Sequence, residues 1–323
     1  MKKQIIFFLK LIISGVVLTI LFYKIPLKEI INSLGSANYL LIIISFFIYL
    51  ICNFLSAFET GYLTRVQGII ISTLQILKIH IVSMFYNLFL PGMISGGAVK
   101  WFKFSKHGRR SDAAAVVVFN RVLEILMLIF TGIFYSFPIL TTKGEIKLII
   151  VWSVIFLIIM SSYFLLLNSR SLSFFQEKIL SIPVSQLIKN SIVKFLGSMQ
   201  KFRKLTIKDS SRIFSLLFFY HSLGITSAYL LALSLKINIT FFDIAWIRAT
   251  ISILTMLPVS FAGLGIREGS LIFLLGNYGV KADDAIAYSF LLFFNMALVS
   301  LSGGLIELSG FLLKKKVETN YET

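Results

Sequence analysis

Leu90-Pro91-Gly92-Met93-Ile94-Ser95-Gly96-Gly97-Ala98-Val99-Lys100 and Leu257-Pro258-Val259-Ser260-Phe261-Ala262-Gly263-Leu264-Gly265-Ile266-Arg267 are two versions of one device. A constant offset of 167 residues sets Leu-Pro on Leu-Pro, Gly96 on Gly263 and Lys100 on Arg267. Each breaks an apolar region with proline and glycine and follows the break with a cation. In membrane proteins, paired interruptions in corresponding halves of a chain point to a substrate site.

Composition places the chain in a membrane. Of 323 residues, 57% are hydrophobic and 14% charged, more apolar surface than a soluble fold of this length can hide. Runs such as Leu40–Leu50 and Ile149–Leu167 carry almost no charge. Lys2, Lys3 and Lys10 flank an apolar stretch to Tyr23 with no small-residue cleavage site behind it, so a retained signal anchor is expected. A single cysteine, Cys52, excludes intramolecular disulfides, cysteine zinc clusters and iron–sulfur sites, and reads as a packing residue.

The hydropathy pattern predicts spans over Gln4–Tyr23, Tyr39–Tyr62, Ser111–Phe137, Ile146–Leu167, Ser210–Leu235 and Ala285–Leu312. Lys28–Ala37 is expected to lie at an interface. Leu74–Phe89 is apolar but covers only about 24 Å at ~1.5 Å per residue, against a hydrocarbon core of about 30 Å. After the first Pro/Gly loop, Ala98–Lys106 forms a helix with Lys100, Lys103 and Lys106, and Arg109 and Arg110 follow. Five cations so close together belong on the cytoplasmic side, so residues 74–106 read as a re-entrant hairpin. Phe241–Met256 and Ile266–Leu275, around the second loop, read as its counterpart entering from outside. Ser111-Asp112 and Asp283-Asp284 are expected to cap the spans after the two hairpins. Residues 168–208 form a basic amphipathic cytoplasmic linker broken at Pro183.

The expected architecture is an all-α polytopic membrane domain over residues 1–323. It contains two inverted repeats, residues 1–137 and 146–312, each with three spans and a re-entrant hairpin. With this topology, twenty-two of the 31 Lys and Arg residues fall inside, eight outside, and Arg121 within a span. That asymmetry predicts cytoplasmic termini at the cell membrane. It also accounts for the net charge of +17 through anionic lipid headgroups rather than nucleic acid.

Backbone that is not helical at membrane depth must be buried in protein or line a wet cavity. A helix beginning after each loop turns its first N–H groups inward with a partial positive charge. Pro91, Gly96, Gly97 and Lys100 in the first loop therefore make a candidate anion site, as do Pro258, Ser260, Gly263, Gly265 and Arg267 in the second. The competing reading makes the glycines helix-packing positions and the cations snorkelling anchors. Arg121 and Glu124, three residues apart inside a span, are expected to pair toward the bundle interior beside Asn120. They serve either a headgroup pathway with a proton relay or a buried pair fixing helix register. Glu268 adjoins Arg267, and Asp243 and Glu307 lie near helix ends. His80, His107 and His221 are far apart in sequence. His107 reads as solvated, and the other two as near span ends. No GxxxxGK[ST], HExxH or GxSxG motif is present, and no cofactor or metal is implied.

The stretch FYNLFLPGMISGGAVKWFKFSKHGRRSDAAAVVVFNRVLEI (85–125) resembles the first signature of the lysylphosphatidylglycerol synthase transmembrane region, also called flippase-like or UPF0104 proteins. Its pattern is a PG-rich loop, a basic helix and an RV-x-E/D element, here Arg121-Val122-Leu123-Glu124. The stretch LPVSFAGLGIREGSLIFLLGNYGVKADDAIAYS (257–289) resembles the second signature, LP-x-S-x-x-G-x-G-x-x-E, through Leu257, Pro258, Ser260, Gly263, Gly265 and Glu268. The first loop has Ser-Gly-Gly where a Gly-x-x-Gly-Glu type is more usual, so an acid expected there is missing. The resemblance implies transport of an anionic phospholipid or lipid-linked glycan across the membrane. It implies as alternatives the membrane half of an aminoacyl-phosphatidylglycerol synthase working with a separate lipid-modifying enzyme, or a scaffold for envelope assembly. With Thr323 about ten residues beyond the last expected span, no synthase domain is expected on this chain.

Overall fold

A computed structural model describes residues 27–89, 94–143, 146–168, 174, 177, 185–256 and 263–321. Among these, every regular element is helical. In chain order they are α1 (Leu27–Gly35), α2 (Tyr39–Val66), α3 (Thr73–Phe89), α4 (Ile94–Phe104), α5 (Arg110–Lys143), α6 (Ile146–Leu167) and α7 (Gln186–Gln200). A 3-10 turn (Lys201–Lys204) precedes α8 (Ile207–Ser234), α9 (Phe241–Met256), α10 (Ile266–Gly276) and α11 (Ala282–Tyr321).

Four helices are long and apolar enough to cross a membrane, over Tyr39–Val66, Arg110–Pro138, Ile207–Ser234 and Ala282–Ser309. They match four of the six expected spans. Helix α6 has the boundaries expected of a fifth, and its apolar run covers Ile150–Ser161. The span expected at Gln4–Tyr23 lies outside the described residues, as do Pro91, Pro258, Ser260 and Pro183.

The chain divides into two compact units built from interleaved segments. One comprises the chain up to Ile51, Lys78–Val99 and Leu223 onward. Its helices meet through polar contacts between apolar faces. The Ser45 and Ser227 hydroxyls lie 2.8 Å apart, each donates to the other's backbone carbonyl, and Asn295 Nδ2 donates to Ser45 Oγ at 3.0 Å. All three residues are buried, and in a lipid-facing bundle such bonds supply association that apolar surface alone does not. Helix α11 also lies against α3 with no room for side chains at Gly303-Gly304. A Cβ on Gly303 would come within 2.4 Å of the Ile81 carbonyl oxygen.

The second unit comprises Cys52–Leu77 and Lys100–Ser222. Its core is tied by the linker after α6, which docks rather than staying solvated throughout. Leu196, Ser198 and Met199 of α7 are buried, and Phe202 in the 3-10 turn stacks on Phe119 of α5 at 3.9 Å between centroids. Cys52 is buried, its thiol 3.6 Å from the Tyr220 carbonyl, as a packing residue should be.

Three expectations need correction. Helix α5 starts at Arg110, so Ser111-Asp112 is not its N-cap. Asp112 instead accepts from Arg109 Nε at 2.9 Å, Ser198 Oγ at 2.7 Å and Lys201 Nζ at 2.8 Å. Ser198 and Lys201 come from a segment distant in sequence, which short-range capping rules do not see. Helix α11 starts before the Asp283-Asp284 pair, and Asp284 Oδ1 accepts from Ser33 Oγ of α1 at 2.8 Å. Finally, His221 lies in the middle of α8 rather than at its end, buried, with Nε2 3.1 Å from the Glu124 carbonyl oxygen.

Candidate functional site

Helix α4 begins at Ile94, four residues earlier than the sequence suggests, so Gly96 and Gly97 fall inside its first turn. The Gly96 N–H donates to Asn87 Oδ1 of the preceding helix at 2.7 Å. A Cβ at position 96 would lie 2.5 Å from Asn87 Nδ2, so glycine here makes room for that cap. The second loop solves the same problem with an acid. The Gly265 N–H donates to Glu268 Oε2 at 2.7 Å. Gly263 and Gly265 have φ of +78° and +84°, a region that side chains rarely enter. Both helix starts thus spend one orphan amide on a nearby side chain.

Arg267 is occupied as well. Its Nη2 lies 2.6 Å from Glu268 Oε1, its Nε donates to Ser289 Oγ at 2.8 Å, and its guanidinium sits 5.1 Å from the Phe293 ring centroid. Ser289 Oγ in turn donates to Glu268 Oε1 at 2.8 Å. The expected Arg267–Glu268 neighbours are therefore a closed, largely buried ion pair, completed by a serine from α11.

In the other unit, Lys100, Asn120, Arg121 and Glu124 do assemble, around a residue the sequence reading passed over. Glu59 of α2 is fully buried, and its Oε2 accepts from Asn120 Nδ2 at 2.6 Å. Its Oε1 is also buried and accepts no hydrogen bond. Arg121 Nη1 lies 3.2 Å from Glu124 Oε2, and half-buried Lys100 interacts electrostatically with Glu124, Glu59 and Arg121. Two cations and two carboxylates thus share one neighbourhood: Glu59, Arg121 and Glu124 from helices long and apolar enough to cross a membrane, and Lys100 from the short α4. The Arg121 side chain remains 40% exposed, so it is not sealed in the bundle as expected. Since a lipid-facing guanidinium is costly, its open side calls for a wet surface. Glu59 was detectable as the one acid within the Tyr39–Val66 run, a position where ionisable residues mark function.

Arg248 is a further residue that the charge count leaves unremarked among the eight outside. It lies in the middle of α9, half-buried, and its Nη1 is buried without a hydrogen-bond partner. Among the described residues, no carboxylate pairs with it. A cation at such a helix centre costs roughly 2.5–3.5 kcal/mol on insertion scales, and here no acid offsets that cost.

A family model described as the lysylphosphatidylglycerol synthase TM region matches residues 7–303. The chain belongs to that family. It is also similar to a UPF0104 membrane protein of Pyrococcus horikoshii, 25% identical over 281 residues, which cover 80% of this chain and 83% of that protein. The family match spans both Pro/Gly loops and both charged clusters.

Proposed function

We propose that this protein is a flippase-like transporter of the cell membrane that moves the headgroup of an anionic phospholipid or lipid-linked glycan across the bilayer, with both termini cytoplasmic. The observation that carries this reading is the Lys100, Arg121, Glu124 and Glu59 group, with Asn120, at membrane depth and with Arg121 part-open. Purely structural ion pairs are best closed off from their surroundings, as Arg267–Glu268 is. A part-open charged group instead offers a travelling headgroup hydrogen bonds and charges in place of water. The two broken hairpins suit an alternating-access device made of inverted repeats. The substrate-facing set would be Lys100, Asn120, Arg121 and Glu124.

The test is reconstitution of the purified chain in liposomes containing a fluorescent anionic phospholipid. Protein-dependent exposure of the label to an external quencher is expected, slowed at least tenfold by Arg121→Ala. Liposomes that flip no faster than protein-free controls would overturn the transporter reading. Activity with aminoacyl-tRNA, when a separate catalytic chain is supplied, would favour the synthase partnership instead.

A further inference from the structure

We infer that Arg248, lying over Gly224, is the phosphate-recognising residue of this protein, a refinement that rests on the anionic-headgroup reading. Lys100, Arg267 and Arg248 all stand within the helices that flank the breaks, and their surroundings differ. Lys100 has two carboxylates within electrostatic reach. Arg267 is satisfied by Glu268 and Ser289 and covered by Phe293. Among the described residues, no carboxylate or hydroxyl hydrogen-bonds to Arg248, and its Nη1 is buried with nothing to donate to.

The fold makes room for this guanidinium rather than neutralising it. A Cβ on Gly224 of α8 would lie 2.5 Å from Arg248 Nη2 and 2.9 Å from Cζ. Any other residue at 224 would push the fork away. One turn along α8, the Tyr288 hydroxyl donates to the Ala228 carbonyl at 3.1 Å, and Arg248 Nη1 still finds no acceptor. This half-buried arginine, seated in a glycine notch, holds a planar fork whose buried Nη1 lacks an acceptor. A phosphate oxyanion supplies two, in the bidentate geometry that arginine holds and lysine does not. The same chemistry is found in a phospholipid headgroup and in free phosphate.

The experiment measures binding of three probes to the detergent-solubilised full chain: phosphatidylglycerol, inorganic phosphate and neutral diacylglycerol. Wild type, Arg248→Gln, Arg248→Lys and Gly224→Ala are compared. Arg248→Gln should weaken phosphatidylglycerol binding at least tenfold and leave diacylglycerol unchanged. Gly224→Ala keeps the charge but displaces the fork, and should lose a similar factor. Arg248→Lys should recover only part of it. Phosphate competing with phosphatidylglycerol would make the anion itself the ligand, and phosphate without effect would make it the lipid headgroup; both support the inference. Wild-type phosphatidylglycerol affinity in Gly224→Ala and in Arg248→Gln would overturn it, and if Arg248→Gln does not fold, Gly224→Ala decides alone. Loss of binding in the variants of a wild type that flips no lipid would leave Arg248 as a phosphate ligand and remove the transporter.

Discussion

Around Glu59, one unit gathers two carboxylates and two cations and leaves Arg121 part-open. The other unit closes Arg267 on Glu268 and Ser289 and, among the described residues, leaves Arg248 without a paired acid. Lys100 and Arg267 each follow a Pro/Gly interruption, so the sequence makes the two regions look alike. What differs is where the acid sits. In the second loop Glu268 immediately follows the cation and also caps the helix start, so charge and backbone are satisfied together. In the first loop a neutral Asn87 makes the cap, and the acids facing Lys100 come from α2 and α5. A local acid gives a lock, and acids borrowed from other helices give a polar surface.

The largest effect should come from opening the lock. Glu268→Ala leaves Arg267 buried beside Ser289 and the Gly265 amide uncapped, and should cost about 3–5 kcal/mol, read as a lowered melting temperature in detergent. Melting at the wild-type temperature would show that the two loops differ less than their geometry suggests.

Asn120→Ala should come next. It removes the donor to Glu59 Oε2 and leaves a fully buried carboxyl with Thr60 as its remaining hydrogen-bond partner, at a cost of about 1–3 kcal/mol. Asn120→Asp should be at least as damaging, because it sets a second acid against the first. An Asp variant as stable as wild type would mean that Glu59 is held protonated.

The Arg121–Glu124 contact should be weaker than Arg267–Glu268, since it is more open. A double-mutant cycle with Arg121→Ala and Glu124→Ala should give a coupling of about 1 kcal/mol, with Glu124→Ala alone less stable than the double variant. Zero coupling would make the first group four independent charges instead of a set.

Smallest of all is the effect of Lys106→Cys. Lys106 is exposed beyond the end of α4, so stability should change by less than about 0.5 kcal/mol. Its value is positional: labelling from the cytoplasmic side alone would place the basic end of the first hairpin there. Labelling only from outside would invert the orientation assigned to both loops.

Much of the helical layout was legible because hydropathy runs and Pro/Gly breaks are local signals. The helices at Tyr39–Val66, Ile146–Leu167, Ile207–Ser234 and Phe241–Met256 follow from composition and punctuation alone. The Arg121–Glu124 and Arg267–Glu268 pairs were equally readable, since three-residue and adjacent spacings fix who can meet whom. Asp112 was misread because its partners Ser198 and Lys201 arrive from a linker more than eighty residues away.

The sequence by itself determined that this is a helical membrane protein of the lysylphosphatidylglycerol synthase TM region family, with two interrupted segments and a basic surplus. Tertiary structure alone decided which charges are matched. Glu59 meets Asn120 across 61 residues, and Arg248 lies over Gly224 from a different helix. The physical reason is that membrane insertion depends on the sum of local hydropathies, which a linear chain displays. Compensation of a buried charge depends on which helix packs beside it, which no run of neighbouring residues records.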